Sequence, residues 1–182
     1  MIRARDIDLE TWNAVEDAVL CFVRDLENNK VLLINKKTGL GAGLINAPGG
    51  RIEEGETPVA AAIRETREEV GLTVDRLNHG GDLFFQFLDG HSIRGFVFWT
   101  QHWSGEPIET SEADPFWCEI HSIPYEKMWS DDSWWLPHLL GNRPFVGRFV
   151  FDGENMMSMS MDVEPMEGHE TGIPRAEWRN SM

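Results

Sequence analysis

The stretch from Gly50 to Leu72, which reads GRIEEGETPVAAAIRETREEVGL, carries the strongest structural signal in the sequence. Thr57 followed by Pro58 predicts the start of a helix, because threonine can accept a backbone N–H at the N-cap and proline has no N–H to leave unpaired. Gly71 predicts the C-terminal end of that helix. The stretch is therefore expected to form a loop followed by one capped helix.

The predicted helix has two different faces. At about 100° per residue, one narrow sector contains the residues expected to pack on the core, which are Val59, Ile63, Thr66 and Val70. The nearly opposite sector contains Ala61 and three glutamates, which are Glu65, Glu68 and Glu69. These carboxylates repel one another at helical spacing, and a hard cation bound by oxygen atoms removes that penalty. A solvated acidic face paired with Arg64 and Arg67 is the alternative interpretation.

The spacing of the whole stretch resembles the Nudix box, in which a glycine, a glutamate, an Arg-Glu pair, a Glu-Glu pair and a final glycine stand at fixed distances. Thr66 is the fixed position that departs, because the family usually has an aliphatic residue there. The resemblance implies a hydrolase that cleaves a diphosphate linked to another moiety, with Mg²⁺ as cofactor and Mn²⁺ as a substitute. It also implies the fold class, α/β (α+β): a single-domain Nudix-type α/β/α sandwich with a mixed β-sheet.

The resemblance also assigns roles around the metal. Glu56 is expected to pair with Arg64 and to hold the loop to the helix. The expected metal ligands are the backbone carbonyl of Gly49 and the carboxylates of Glu65, Glu68, Glu69 and Glu112. The expected catalytic side chains are Glu56, Arg64, Glu65, Glu68, Glu69 and Glu112. Either Glu68 or Glu112 could serve as the general base, and the sequence does not choose between them.

The composition limits the class of protein. The chain has 182 residues, which suits one domain, and a formal net charge of −15. A nucleic acid polymer is not expected as a partner, since a phosphate backbone needs a basic surface, whereas the few charges of a nucleotide can be met locally. Cys21 and Cys118 lie in apolar stretches and are expected as buried thiols. Without an apolar leader or a run of membrane length, we expect a cytoplasmic monomer that binds a small nucleotide and no membrane.

The chain is expected to divide into an N-terminal extension (1–17), a Nudix domain (18–163) and a polar C-terminal extension (164–182) in which Trp178 hints at docking. Apolar patterning predicts strands at residues 18–23, 31–35, 44–47, 82–88, 93–101, 116–121, 145–151 and 157–162. Turn residues predict hairpins around 24–30, 89–90 and 152–155. Residues 131–140 are predicted as a second helix with Ser130 as its N-cap, although Pro137 lies inside it.

Residues 41–50 and 123–137 resemble the MutT-homologue oxidised purine nucleoside triphosphatases, and the resemblance extends from about residue 19 to residue 163. It implies that Trp129 stacks on the purine. The base edge is expected to bond Asn46, Asp131 and Asp132. Other substrate contacts are implied at Lys36, Pro48, Gly49, Gly50, Arg51, Phe85, Phe87 and Ser130. The chain departs from that family at Leu40, where an aromatic residue is frequent, and at Pro48, where phenylalanine is usual.

The adjacent pair Asp131 and Asp132 suits the recognition of a damaged base. Two neighbouring carboxylates rarely ionise together in a dry pocket, so the pKa of one should rise. An ionised carboxylate could accept from N1–H or N2–H of 8-oxoguanine while a protonated one donates to O6, and an exchange of roles would suit oxidised adenine. The alternative is that both aspartates only complement the dipole at a helix start. Lys36 has a similar alternative, because it and Lys37 could both be solvated charges at a strand end.

Other functions have sequence signatures of their own. ADP-ribose hydrolases of the Nudix family usually carry a proline soon after the box, and this chain has none between Pro58 and Pro107. Diadenosine polyphosphate hydrolases usually have a tyrosine there, and the single tyrosine is Tyr125. A non-catalytic Nudix domain used for ligand binding should lack box glutamates, all of which are present. A (d)NTP pyrophosphatase with broader base preference is therefore the strongest alternative.

Overall fold

The computed structural model describes residues 2–164 of the chain. Its strands are β1 Glu16–Asp25, β2 Lys30–Lys36, β3 Ile45–Asn46, β4 Gly49–Arg51, β5 Thr73–Asp75, β6 Asn78–Phe87, β7 Ser92–Thr100, β8 His102–Ser104, β9 Ala113–Glu119, β10 Phe145–Asp152 and β11 Asn155–Val163. Its α-helices are α1 Pro58–Val70 and α2 Asp132–Leu140, and short 3-10 helices span Ala4–Asp6 and Tyr125–Lys127.

Most of these strands form one mixed sheet in the order β11-β10-β6-β7-β1-β2-β3, with β4 paired to β1 and β9 paired to β2. The pairs β1–β7 and β10–β6 are parallel, whereas the hairpins β1–β2, β6–β7 and β10–β11 are antiparallel. Strands β5 and β8 pair only with each other within the described residues. The predicted mixed sheet and the predicted hairpins are confirmed.

The two faces of β1 show why the sheet lies between helices. Cys21 and Val23 belong to a buried cluster that contains Ala61, Ala62 and Val70 of α1. Phe22 points to the other face and belongs to a cluster with Trp135, Leu136 and Leu139 of α2. Because successive residues of a strand point to opposite faces, α1 and α2 cover opposite faces of the sheet. The predicted α/β/α sandwich is therefore confirmed.

Helix α1 has the predicted ends. The side chain of Thr57 accepts from the N–H of Ala60 at 3.1 Å, and Gly71 adopts the left-handed conformation, with φ of 76°. Thr66 is fully buried on the core side and its hydroxyl donates to the carbonyl of Ala62 at 2.7 Å. The prediction that Val59 packs on the core is wrong. Val59 is 42% exposed. The side of α1 that packs on the core is centred on Ala62, Thr66 and Val70, and Val59, in the first turn of the helix, does not lie on it.

Helix α2 begins one residue later than predicted, and Ser130 is not its cap. The residue at the N-cap is Asp131, which has helical φ and ψ and makes no capping bond with its side chain. That carboxylate instead accepts from Nε1 of Trp135 at 2.8 Å, inside the protein. Ser130 is exposed, and its carbonyl accepts from the hydroxyl of Ser133 at 3.3 Å.

Strand β9 begins and ends earlier than the predicted 116–121. Asp114 and Pro115 pair in register with Asn35 and Ile34 of β2, which extends the strand in the N-terminal direction. Proline is tolerated there because β9 pairs on one side only among the described strands, and a strand edge does not need every N–H. The other predicted strands overlap observed ones.

The N-terminal segment before β1 packs on the sheet. Ala4 is fully buried in a small cluster with Ile7 and Val150, and the N–H of Ala4 donates to the hydroxyl of Ser158 at 3.0 Å. Trp12 donates to Gln86 at 2.9 Å. The predicted domain boundaries stay predictions, and most of the predicted C-terminal extension, including Trp178, lies outside the described residues. Neither α-helix in the described part of the chain has the length and apolar character needed to cross a membrane.

Candidate active site

A cavity of about 320 Å³ is lined by residues from both helices and from strands on each side of β1. It brings together most of the predicted site residues, which are Lys36, Asn46, Gly49, Gly50, Arg51, Glu69, Phe85, Phe87, Trp129, Asp131 and Asp132. We call the part around Lys36, Gly49, Gly50 and Glu69 the α1 end. We call the part around Asn46, Trp129, Asp131 and Asp132 the α2 end.

Arg64 organises the glutamates beside the α1 end. Its Nε and Nη2 donate to the two oxygens of Glu56, each at 2.8 Å, and these bonds hold the pKa of Glu56 down at about 2. Its Nη1 donates to Glu65 at 2.7 Å and to Glu68 at 3.2 Å. Nη2 also donates to the carbonyl of Arg51 at 3.0 Å. One guanidinium therefore joins the loop before α1 to the helix and holds two helix carboxylates.

Glu69 is the helix glutamate that reaches the cavity, and it is only 5% exposed. Burial raises its pKa to about 7, although the N–H of Gly49, 3.3 Å from Oε2, and the charge of Lys36 act in the opposite direction. Burial also raises the pKa of Glu65, against the hydrogen bond from Arg64. The α1 end therefore buries two carboxylates whose ionised forms lack full compensation from the protein.

Glu112 lies near enough to these two carboxylates for its charge to raise the pKa of both Glu65 and Glu69. The loop that carries it is fixed to α1, since the hydroxyl of Thr110 donates to the carbonyl of Glu69 at 2.8 Å. Glu112 itself is exposed, and its N–H donates to the same hydroxyl at 3.3 Å. The structure thus places the predicted fourth carboxylate beside the helix glutamates, although it does not line the cavity.

Both glycines of the α1 end lie in close contact with neighbouring groups, and at Gly49 the neighbour is backbone. A Cβ on Gly49 would lie 2.0 Å from the carbonyl oxygen of Val19 in β1, which no side chain can tolerate. A Cβ on Gly50 would lie 2.5 Å from the carboxyl carbon of Glu65. These two glycines allow strand β4 to press against both β1 and the acidic side of α1.

The donor set at the α1 end fits a hard divalent cation. Among residues 2–164, no three acidic, histidine or cysteine side chains already surround one point. Glu65 and Glu68 are instead turned to Arg64. Nevertheless all the nearby donors are carboxylate or backbone oxygens, the ligands that Mg²⁺ prefers, and bound positive charge would stabilise the buried ionised forms of Glu65 and Glu69. The residues are therefore suited to such an ion.

The two adjacent lysines have different environments. Nζ of Lys37 donates to Glu109 at 2.5 Å and to the carbonyl of Thr110 at 2.8 Å, so Lys37 is engaged in fixing the loop. Lys36 lines the cavity, and its charge lowers the pKa of Glu69. Of the pair, Lys36 is the one that lines the cavity.

The α2 end contains two buried carboxyl groups. Asp131 and Asp132 are 2% and 3% exposed, and Oδ2 of Asp132 has no hydrogen-bond partner within the described residues. Burial raises the pKa of Asp131 to about 6, although the bond from Trp135 lowers it. Burial and then the charge of Asp131 raise the pKa of Asp132 well above its usual range. The bond from Trp135 favours the ionised form of Asp131, whereas Oδ2 of Asp132 receives no hydrogen bond within the described residues, so Asp132 is the member of the pair that is suited to hold a proton.

Aromatic rings and one amide complete the α2 end. The indole of Trp129 meets Phe151 edge-on at 5.5 Å between centroids. A Cβ on Gly41 would lie 2.7 Å from Nε1 of Trp129, so the loop after β2 passes directly over the indole edge. Oδ1 of Asn46 accepts from the N–H of Ala47 at 2.9 Å, which leaves its amide NH₂ as the group available to a ligand.

Two predicted substrate contacts do not line the cavity. Pro48 is buried behind it, where its carbonyl accepts from the N–H of Cys21 at 2.8 Å, and Ser130 is exposed. Their contact with substrate stays a prediction.

Sequence reasoning missed other cavity residues, which include Leu20, Leu83, Ile93 and Phe151. Phe151, in β10, pairs in register with the predicted wall residue Phe87 of β6, and only the folded sheet shows this pairing.

A polar group at the cavity rim was also missed. Glu16, at the start of β1, lines the cavity, forms an ion pair with Arg51, and lies 2.8 Å from Nε2 of His91. Arg51 itself is 78% exposed at its side chain. No motif marks this group, because its members come from three separate segments that only the sheet brings together.

Comparison with known proteins assigns the chain to a family. Residues 15–139 match the NUDIX domain model, so the chain belongs to the Nudix family. A solved relative in fold is the MutT mutator protein from Bacillus halodurans, with a TM-score of 0.74 and 27% sequence identity over 83% of this chain and 100% of that one.

Several relatives in sequence are named nucleotide hydrolases. The chain is 39% identical over 140 residues to the oxidized purine nucleoside triphosphate hydrolase of Danio rerio, which covers 76% of this chain and 90% of that protein. It is 40% identical over 138 residues to the protein of that name from Mus musculus, covering 75% and 88%. It is also similar to the 8-oxo-dGTP diphosphatase of Escherichia coli K12, with 37% identity over 83 residues, or 44% of this chain and 63% of that one.

Proposed function

We propose that this Nudix hydrolase cleaves oxidised purine nucleoside triphosphates, the 8-oxo-dGTP and 2-hydroxy-dATP class, to the monophosphate and pyrophosphate. The observation that carries the proposal is the buried, unpartnered Oδ2 of Asp132 in a cavity that also reaches Glu69. A polar atom that is buried without a partner costs free energy, and a base edge would supply that partner. Such a reaction removes damaged precursors from the nucleotide pool.

The α2 end can select the oxidised base. In 8-oxoguanine N7 carries a proton, whereas in guanine N7 is an acceptor, so oxidation changes the hydrogen bonds that the base edge offers. In the proposed complex Asp132 is protonated and donates to O6, while Asp131 is ionised and accepts from N1–H or N2–H. The amide of Asn46 donates to the same base, and Trp129 stacks on its face. A site of fixed polar groups discriminates against a base that leaves one of them unpaired.

The α1 end is proposed to hold the triphosphate. Lys36 offers an ammonium group to the phosphates, and the backbone at Gly49 and Gly50 comes close because neither residue has a side chain. Glu65, Glu68, Glu69 and Glu112, with the carbonyl of Gly49, would hold the cation. A bound divalent metal lowers the pKa of a water molecule and neutralises charge that develops on the transferring phosphoryl group.

Two side chains remain proposed as the base that accepts a proton from the attacking water, Glu68 and Glu112. Both are exposed; the charge of Glu112 acts on Glu65 and Glu69, and Glu68 belongs to the group of glutamates that bond Arg64. Arg64 would orient this group from behind, because it bonds Glu56, Glu65 and Glu68 at once. The kcat values of Glu68→Gln and Glu112→Gln should be compared. The variant with the larger loss identifies the carboxylate that contributes more as the general base.

The test of this function is a panel of substrates with the purified protein. We expect kcat/KM for 8-oxo-dGTP and 2-hydroxy-dATP to exceed that for dGTP, dATP, ADP-ribose and diadenosine tetraphosphate. We expect monophosphate and pyrophosphate as products with Mg²⁺. Turnover should collapse in EDTA or with Ca²⁺, which does not favour compact octahedral geometry. A best substrate without a purine triphosphate, or full activity in EDTA, contradicts the proposal.

A broader (d)NTP pyrophosphatase is the second candidate, and one observation favours it. Leu40 lines the cavity, is 53% exposed, and stands where the resembling family often has an aromatic residue. A smaller, more open wall would constrain the base less. Near-equal kcat/KM for 8-oxo-dGTP and all four normal dNTPs would establish this alternative. The preference for Mg²⁺ over other divalent ions, the cytoplasmic location and the monomeric state are part of the proposal and stay predictions.

A further inference from the structure

A buried arginine lies at the opposite end of α2 from the two aspartates. Arg24, in β1, is 4% exposed. Its Nη1 donates to Oδ1 of Asn142 at 2.6 Å, and its Nη2 donates to the carbonyl of Leu140 at 2.9 Å. Its guanidinium carbon lies 4.7 Å from the ring centroid of Trp99 in β7. Arg24 therefore ties the sheet to the C-terminal end of α2.

Charge pairing does not explain why Arg24 is buried. Within residues 2–164 no carboxylate forms an ion pair with it, and its Nε has no hydrogen-bond partner. A buried charge is costly, and apolar residues of similar volume often stabilise such a position equally well or better. The guanidinium is therefore better explained by what it holds than by its contribution to core stability.

The C-terminal end of α2 combines backbone capping bonds with the contact from Arg24. Pro137 lies inside the helix and has no N–H to donate to the carbonyl four residues earlier. The last carbonyls of any helix lack partners within it, and Arg24 bonds the one at Leu140. Asn142, which follows the helix with φ of 56°, is fixed in this left-handed turn by the same guanidinium.

Anchoring one end of a helix this short controls the other end. Nine residues of α-helix are about 13 Å long, so a rotation of about 5° at the anchor moves the first residue by about 1 Å. A displacement of about 1 Å in a group that positions a substrate can change rate by up to about 10²-fold. Asp132 is the first residue of α2, and Asp131 directly precedes it.

We propose that Arg24 is a positioning residue for base selection, which sets the orientation of α2 from its far end and thereby the fit of Asp131 and Asp132 to an oxidised base. This inference rests on the proposed function. It assigns a role in discrimination to a side chain that does not line the cavity.

The chain offers a matched control in Arg148. It lies in β10, is also 4% exposed, and also has an Nε without a hydrogen-bond partner among the described residues. Its nearest carboxylate is Asp162, at 3.8 Å, and no hydrogen bond in the described part of the chain joins it to α2. Replacement of either arginine removes a buried guanidinium, but only replacement of Arg24 removes the anchor of α2.

The experiment compares Arg24→Met, Arg24→Lys and Arg148→Met by thermal unfolding and by kcat/KM for 8-oxo-dGTP and dGTP. We expect Arg24→Met to lower the ratio of the two kcat/KM values by at least about 5-fold, mainly through KM for 8-oxo-dGTP. Arg24→Lys, which retains a donor but not the planar fork, should fall between Arg24→Met and the natural protein. Arg148→Met should leave the ratio unchanged, and its Tm reports separately what the loss of a buried guanidinium does to stability.

A second variant keeps the test decisive if Arg24→Met does not fold. Asn142→Gly removes one acceptor of the guanidinium while glycine tolerates the left-handed conformation, and it should lower the ratio in the same direction. An unchanged ratio in a folded Arg24 or Asn142 variant, or an equal loss in Arg148→Met, overturns the inference. Asp132→Ala is measured beside them. If it leaves the ratio unchanged, the proposed function itself fails, whereas a loss in Asp132→Ala alone refutes only the role of Arg24.

Discussion

The two ends of the cavity are built in different ways. The α1 end takes most of its groups from one segment, residues 49–69, in which Gly49 contacts Glu69 and Arg64 bonds Glu56 and Glu65. The α2 end is assembled from Asn46, Phe85, Phe151 and the residues around Asp131, which only the folded sheet brings together. The residues of a local site stand at fixed spacings in the sequence, so the sequence reveals them. The residues of a dispersed site come together only when the helices and strands that carry them are correctly oriented.

This difference predicts that the two ends fail differently. Damage to the α1 end should reduce turnover of every substrate, because all substrates share the phosphates. Damage to the α2 end should change the ratio between substrates, because only the base differs.

The largest loss is expected from the glutamates of α1. Glu69→Gln and Glu68→Gln should each lower kcat by at least about 10²-fold while the fold survives, since one removes a proposed metal ligand and the other a ligand or general base. The loss should be equal for 8-oxo-dGTP and dGTP. Steady-state kinetics with Mg²⁺ measures both values, and Glu54→Gln, an exposed glutamate of the same loop, is the control. Near-normal turnover in both variants would contradict the proposal that the α1 end holds the metal and the triphosphate.

A smaller and selective loss is expected at the aspartates. Asp132→Asn should be tolerated far better than Asp132→Ala, because a protonated carboxyl and an amide can both donate to O6. Asp131→Asn should cost as much as Asp131→Ala, because it places a donor against the N–H of the base. In the damaging variants, discrimination between 8-oxo-dGTP and dGTP should fall by about 1–3 kcal/mol, the scale of a buried unpaired polar group.

The measurement for these variants is kcat/KM for 8-oxo-dGTP, 2-hydroxy-dATP and dGTP across pH. Activity on a diphosphate substrate without a nucleoside should be unaffected, because the α1 end is intact. Uniform losses on all substrates would reduce the aspartates to structural residues of the helix start.

The contrast also explains what the sequence could predict. The helix caps of α1, its glutamate spacing and the alternating strands are local patterns, and the corresponding elements were predictable. Ser130 was predicted as the cap of α2 because a serine before two aspartates is a typical helix start. The actual arrangement depends on a bond from Trp135 to Asp131 that draws the carboxylate inward, and the indole takes that position through packing against Phe22 and Phe145.

Long-range arrangement limited the prediction of the site in the same way. Lys36 and Lys37 are equivalent in the sequence, and only the position of Glu109 in the folded chain separates their roles. No sequence pattern predicted the contact between Glu16 and His91. Glu16 begins β1, His91 lies in the turn after β6, and only the folded sheet brings them together. The family resemblance identified the base-reading candidates. Their burial and the orphan oxygen of Asp132 required the structure.

An effect of intermediate size concerns stability against pH. Burial raises the pKa of Asp131 to about 6, above its ordinary range, so the folded state binds this proton more tightly than the unfolded state. The associated stability is present below about pH 4 and is lost as pH rises through about 6. We expect the free energy of unfolding of the natural protein, relative to Asp131→Asn, to fall by on the order of 2 kcal/mol over this interval.

Urea unfolding at pH 4, 5, 6 and 7 measures this difference. Asp114→Asn, which replaces an exposed aspartate, is the control for the substitution itself. A difference between the natural protein and Asp131→Asn that rises with pH would mean that Asp131 is stabilised in its ionised form. The surroundings of Asp131 would then lower its pKa, and the effect of burial on this carboxyl would be smaller than that of the bond from Trp135.

The smallest effect is expected at Thr66, the departure from the usual box. Its side chain lies on the core side of α1, fully buried, and donates to the carbonyl of Ala62 at 2.7 Å, whereas the glutamates lie on the side of the cavity. Thr66→Val should therefore leave kcat and substrate ratios unchanged. It exchanges one hydroxyl bond for a buried methyl, so the free energy of unfolding should change by no more than about 1 kcal/mol. A loss of turnover with unchanged urea midpoint would show that the two sides of this helix are coupled, and that the α1 end is less local than its sequence suggests.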